Sequence, residues 1–310
     1  MWAFPAAIAL MAMQVAGAPA VAPIKPAAPP KQINFMSDPV LRLTVPVRIG
    51  GQTRRFLIDT GAERSGISIE LANALGLAAG KASQVTGFAG TRWVPTVPIS
   101  MAGFATGSTK KVVALAFSRD AIGADGFLGL DSLRGQIVQF DFSRQRMFAQ
   151  GTPVYTAPYA AGPDAVAALR VLKSRLVFTS ASAGGVHVQA LLDTGSSLSV
   201  GNDKLKSELQ RRHKFGVPIP IRILAVTGEQ VPAEYVVIKS LWIGQVHITN
   251  MPVAFAGPEP FASLGFKDKP ALLLGIDALR KFERVEIDFS NNEVRFTTKS
   301  SGGTYVTIDS

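Results

Sequence analysis

Hydrophobic and polar positions alternate over short stretches along most of the chain. "LRLTVPVRI" alternates up to the pair Gly50-Gly51, and "VHVQALL" takes up the same rhythm after Gly184-Gly185. A two-residue period marks a half-buried strand, and a glycine pair between two such runs marks a hairpin. Helix-like spacing is confined to two short segments, "IELANALGL" and "DKLKSELQRRH". Many short strands at close spacing with little helix predict an all-β protein.

The pattern occurs twice. In both copies the second glycine of the pair stands 8 residues ahead of an Asp-Thr-Gly, at Asp59 and at Asp193. A short helix segment follows each, then a Val-Thr-Gly turn in "QVTGFAGTRWVP" and in "LAVTGEQVPAEY". "GFLGLDSLRGQIVQFDFSRQRMF" then answers "LLLGIDALRKFERVEIDFSNNEVRF" almost position by position. The chain therefore reads as a duplication. Its first lobe covers residues 37–150 and its second residues 168–310, with a turn-rich joint at 151–167.

A two-fold repeat with one aspartate per copy suggests a site on the axis, where Asp59 and Asp193 face each other. Two carboxylates at hydrogen-bonding distance cannot both ionise cheaply, so they hold one proton between them. The ionised member can then take a proton from water while the protonated member polarises a carbonyl. Here the chain resembles the retropepsin-like aspartic proteases, in a tandem single-chain form related in plan to the two-lobed pepsins. The resemblance rests on "LIDTGA" and "LLDTGS" and on the later apolar-apolar-Gly triplets "FLG" and "LLG". It covers both copies and implies two β-barrel lobes with the active site at the interlobe pseudo-two-fold.

Carried over position by position, the resemblance makes Asp59 and Asp193 the catalytic dyad. It makes Thr60 and Thr194 braces across the lobe interface, and Gly61 and Gly195 points of close backbone approach. "VTGFAG" resembles the flap over the substrate, through Thr86, Gly87, Phe88 and Gly90, with Phe88 at its tip. Thr227 and Gly228 in "VTGEQ" form either a second flap or a rigid hairpin. The residue after the motif is Ser196 in one copy and Ala62 in the other. A hydroxyl there can donate to the carboxylate, so its loss on one side implies a dyad that works at less acidic pH than pepsin's. Asp131 and Asp277, just after the triplets, are expected to cap the helical turns that follow, and Asp141 and Asp288 to sit in hairpin turns.

Composition narrows the alternatives. The 310 residues are 47% hydrophobic and only 17% charged, which suits globular lobes and not a disordered chain. The net charge of +10 comes from scattered basic residues without a nucleic-acid motif, so no nucleic-acid partner is expected. There is no cysteine, and the three histidines, His187, His213 and His247, lack ligand spacing. No metal or organic cofactor is expected. "AFPAAIALMAMQVAGAPA" is an apolar segment ending in Ala18-Pro19-Ala20, which predicts a signal peptide over residues 1–20 and export to the periplasm or medium. Cleavage there would leave no inserted membrane span. Residues 21–36 read as a Pro-rich tether, and "GTYVTID" as a terminal strand at the base of the interlobe contact. The expected activity is that of a monomeric aspartic endopeptidase acting on peptides or proteins. The alternatives are a catalytically weak or inactive peptide-binding pseudoprotease and a basic, envelope-binding structural protein.

Overall fold

The computed structural model describes residues 31–38, 42–87, 89–102, 109–151, 165–172, 175–257, 261–298 and 306–308. Strands account for 54% and helices for 11%, so the all-β expectation holds and two similar lobes carry it. The expected signal peptide and most of the tether and joint lie outside the described residues.

In the first lobe, Leu43–Ile49 and Gln52–Ile58 form an antiparallel hairpin. Its turn is Gly50-Gly51, with φ of 57° and 76°. The second lobe repeats this with Gly184 and Gly185 at 55° and 78°. Two consecutive left-handed residues make the turn whose twist matches the strands, and glycine adopts it without a Cβ penalty. Each turn also carries a helix. A Cβ on Gly50 would lie 2.6 Å from Leu75 Cδ2, and one on Gly184 would lie 2.6 Å from Leu209 Cδ2.

Those helices are Ile69–Ala74 and Asp203–Arg211. Ser68 caps the first, its Oγ accepting the Leu71 N–H, and Asn202 Oδ1 caps the second by accepting from Leu205 N–H. Leu205 and Leu209, one helical turn apart, are fully buried.

The strand leading into each Asp-Thr-Gly is flanked by an element from much later in the chain. Gly126–Leu128 lies parallel to Gln52–Ile58 and antiparallel to Gly66–Ser68. Ala271–Leu274 lies in the same way between Gln189–Leu192 and Val200–Gly201. These are the "FLG" and "LLG" triplets, threaded between the strand that enters each loop and the strand that leaves it.

Six strands join the lobes, in the order Lys31–Asn34, Arg146–Gly151, Gln136–Asp141, Arg284–Asp288, Glu293–Thr297, Ala165–Leu172. The central pair brings equivalent segments of the two copies together, antiparallel, with Val138 opposite Ile287 and Phe140 opposite Val285. All four side chains are fully buried. Asp141 and Asp288 sit beside their hairpin turns, each accepting from backbone N–H groups at Arg144 and at Ser290 and Asn291.

One expectation needs correction. Residues 31–36 are not tether, because Lys31–Asn34 and Met36–Ser37 are strands with Ile33 and Phe35 buried between them. Phe35 packs edge-on against Phe140 and Phe142, and this apolar anchor turns the end of a Pro-rich stretch into sheet. The terminal strand forms as expected, Val306–Ile308 running parallel to Val246–Phe255 in the second lobe.

Candidate active site

The threaded triplets fix the two loops. Asp59 N–H donates to Leu128 O, and Asp193 N–H to Leu274 O, both at 3.0 Å. One step on, Leu130 N–H donates to Ala62 O and Ile276 N–H to Ser196 O, both at 2.9 Å. Each loop is thus held on both sides of its aspartate by one buried strand end.

A second tie follows each loop. Ser65 Oγ accepts from Gly129 N–H at 3.1 Å, and both its hydroxyl and its N–H donate to Asp131 Oδ1, at 2.7 and 2.9 Å. Ser199 Oγ accepts from Gly275 N–H at 3.0 Å; its hydroxyl donates to Asp277 Oδ1 and its N–H to Asp277 Oδ2. Asp131 and Asp277 were expected to cap their own helical turns. Those turns start instead at Gly129 and Gly275, with no side-chain cap. The carboxylates reach back to the loops because a buried serine presents two donors there. Ser65 and Ser199, absent from the sequence-based site, each stand six residues after the dyad aspartate, and that matched spacing was the available signal.

Between the loops the contacts are reciprocal. Thr60 Oγ accepts from Thr194 N–H at 3.0 Å and donates to Leu192 O at 3.0 Å. Thr194 Oγ accepts from Thr60 N–H at 3.1 Å and donates to Ile58 O at 2.8 Å. Both threonines are completely buried. A Cβ on Gly61 would lie 2.6 Å from Asp193 Oδ2 and closer still to the rest of that carboxylate. Gly195 stands in the same relation to Asp59. Each glycine therefore makes room for the other lobe's carboxylate.

Asp59 and Asp193 keep part of their surface open, although protein surrounds the carboxylates closely. The two carboxyls act on each other electrostatically, and Asp59 Oδ1 is shut away from solvent with no hydrogen-bond partner among the described residues. Burial, and then the Asp193 charge, push Asp59 from its ordinary 3.8 up to about 7, against the opposing Arg175 charge and the Gly61 and Ala62 N–H groups. Burial raises Asp193 too, opposed by Arg175 and by the Gly195 and Ser196 N–H groups. The pair titrates as a unit, and burial raises both of its carboxyls.

The cause of the raised dyad differs from the one expected. Ser196 Oγ donates to Leu198 O at 2.6 Å, so its hydroxyl proton turns away from the carboxylates. The Ser196 hydroxyl therefore gives its aspartate no bond that Ala62 withholds; the backbone N–H of each residue draws its own aspartate back toward acid. The neighbouring cation, Arg175, was not among the residues picked out from sequence.

Two hairpins meet over the first lobe's side of the cleft. Ser83–Gly87 and Gly90–Val94 form a separate ribbon with Gly87 opposite Gly90, steadied by a 2.9 Å bond between the hydroxyls of Thr86 and Thr91. Phe88, its expected tip, lies outside the described residues. The second-lobe turn runs from Ala225 to Glu229 through Thr227 and Gly228, closed by Ala225 N–H to Glu229 O at 2.8 Å. It reaches across, for Val226 packs against the first-lobe cluster of Leu57, Val94, Leu115, Phe117, Ile122 and Phe127, beside Ala62 and Val85. Arg92 on the ribbon pairs with Glu229 on the turn at 3.3 Å.

Known proteins agree with this geometry at the level of family. No curated protein matches the chain. An aspartyl protease family profile, by contrast, matches residues 45–132 and again 179–278, together more than half of the sequence. Each matched stretch holds one Asp-Thr-Gly loop and the triplet threaded beside it, and the chain belongs to the aspartyl protease family.

Proposed function

We propose that the protein is an active aspartic endopeptidase with Asp59 and Asp193 as its catalytic residues. The observation that carries this reading is the facing of two carboxyls, one from each lobe, each set against the glycine of the other lobe's loop. Asp193, the ionised member, takes a proton from a water molecule as its oxygen attacks the peptide carbonyl carbon. Asp59 gives its proton to the carbonyl oxygen, forming a tetrahedral diol. Transfer of a proton to the amide nitrogen then breaks the C–N bond, releases acid and amine, and restores the shared proton. Thr60, Thr194, Gly61 and Gly195 hold the geometry, and the two hairpins cover the substrate.

One chain supplies both aspartates, which supports activity as a monomer. The apolar N-terminal segment with its Ala-x-Ala supports export, and among the described residues no helix is long and apolar enough to cross a membrane. Cleavage of a peptide library across pH tests the reading. Wild type should turn over peptides, and Asp59→Asn and Asp193→Asn should each lose at least about a thousandfold in kcat/KM. An inactive wild type, or either variant with wild-type cleavage, rules the reading out.

A further inference from the structure

The helix Asp203–Arg211 ends in the run Arg211-Arg212-His213-Lys214, and all four residues are exposed. The backbone closes the helix end, His213 N–H donating to Gln210 O at 3.0 Å and Lys214 N–H to Leu209 O at 2.8 Å. That closure needs a left-handed residue, here His213 at a φ of 53°, where glycine would serve without strain. Two contacts pin the run on either side. Arg212 donates a terminal nitrogen to Gly185 O at 3.1 Å, and Phe215 packs on Phe255 beneath the Lys206 ammonium.

Aliphatic side chains standing in water follow it directly. Val217 is 88% exposed, Ile219 56% and Val237 43%. A Cβ on Gly216 would lie 3.6 Å from Val237 O, so the chain runs alongside that strand. Ile219 pairs with Tyr235, and carrying this register two residues back sets Val217 opposite Val237. Lys239 is exposed on the same face as Val237, since Val236 and Ile238 turn into the core. Gly184 N–H donates to Ser240 O, which brings the Gly184-Gly185 turn under Arg212 round to Lys239. Cations and aliphatic groups thus share one continuous patch.

The acids beside the patch are already matched, Glu208 by Arg211 and Lys204 and Glu234 by Lys206. Arg212, Lys214 and Lys239 make no ion pair among the described residues. A soluble polyanion would use these charges and leave Val217 and Ile219 in water. An anionic lipid surface takes both, with phosphates at the cations and the acyl boundary at the aliphatic groups. Stable attachment to a membrane surface takes two such signals together.

We propose that this face of the second lobe docks on an anionic phospholipid surface. Arg212, Lys214 and Lys239 meet the headgroups, and Val217 and Ile219 enter the interfacial layer without spanning it. The docking is independent of the protease reading, because none of these residues belongs to the cleft loops.

The test mixes the full chain with vesicles of phosphatidylcholine, with or without about one-third phosphatidylglycerol, at about 0.1 M salt. Wild type should partition onto the anionic vesicles at least about tenfold better, each cation near such a surface being worth about fivefold. With Arg212→Gln, Lys214→Gln and Lys239→Gln combined, that advantage should shrink to about twofold or less. Val217→Ser with Ile219→Ser should weaken binding to anionic vesicles by about fivefold or more. Residues 1–20 hold no charged side chain and are common to all variants, so they create no preference between the vesicles. The proposal is overturned if wild type binds both vesicles alike, or if the triple variant keeps the preference. It is equally overturned if the serine variant binds anionic vesicles as wild type does. Dextran sulfate binding that survives the serine changes would then mark an anionic polymer as the partner. All five substituted side chains are exposed, and circular dichroism of the variants, with the wild-type vesicle comparison, separates the outcome from a folding defect.

Discussion

Thr60 and Thr194 exchange two pairs of hydrogen bonds across the lobe boundary, each hydroxyl accepting the other's N–H and donating to a carbonyl one strand away. With both side chains completely buried, no water can replace a missing partner. Thr60→Val keeps the shape but strands the Thr194 N–H and the Leu192 C=O. At about 1–3 kcal/mol per orphaned group, the loss of stability should be roughly 2–5 kcal/mol. Thr60→Ser should recover most of it. Chemical denaturation of the three proteins, with kcat/KM alongside, measures both effects.

Gly61 and Gly195 face the opposite carboxylates, so their substitution acts on chemistry more directly than on packing. Gly195→Ala pushes a methyl group into Asp59. The carboxyl must rotate or the loops must part, and a displacement of about 1 Å costs roughly a hundredfold in rate. Peptide turnover should fall by at least that factor, while the variant's far-ultraviolet circular dichroism stays that of wild type.

The raised dyad sets the pH dependence of activity. Asp59 must carry its proton to act as the acid, and its value of about 7 implies that kcat/KM falls as pH rises through neutrality. A profile peaking below about pH 3 would contradict this assignment.

Stability follows from the same shift by linkage. The folded state holds the Asp59 proton more tightly than the unfolded chain, so this contribution is full below the ordinary 3.8 and is lost as pH rises through about 7. Asp59→Asn removes the titration. Between pH 4 and pH 8 the variant should gain on wild type by an amount on the order of 2–4 kcal/mol. Calorimetry of both proteins at the two pH values checks the sign.

The meeting of the two hairpins should govern substrate affinity. Val226→Asp puts a charge into the cluster around Phe117 and Phe127 and should raise KM several-fold. Glu229→Ala removes the exposed pair with Arg92 and should do so more weakly, with an effect that shrinks in high salt. Steady-state kinetics at low and high ionic strength distinguish them.

Much of this fold was legible in the sequence because duplication writes each signal twice. Glycine pairs at equal distance from Asp-Thr-Gly become left-handed turns under a leucine, and the later triplets become the strands that pin the loops. What stayed hidden depends on direction in space. Ser196 carries the hydroxyl expected of it but turns it to Leu198 O, and Asp131 and Asp277 reach across to serines when a local cap was the simpler expectation. Arg175 was masked by one extra residue: Arg42 stands 17 residues before its aspartate and Arg175 stands 18 before its own. Only strand register shows that the two are equivalent. Val226 belongs in sequence to the second lobe and in space to the first.

The reciprocal threonine bonds have a consequence for when the proposed activity could first arise. Under the proposed function neither lobe would hold half of the activity, because each supplies only one of the two carboxyls. A chain whose first lobe had folded during synthesis would still lack the second carboxyl that the proposed reaction needs. Proteolytic power would then switch on in a single step when the lobes dock, giving the cell a built-in delay between making this chain and arming it.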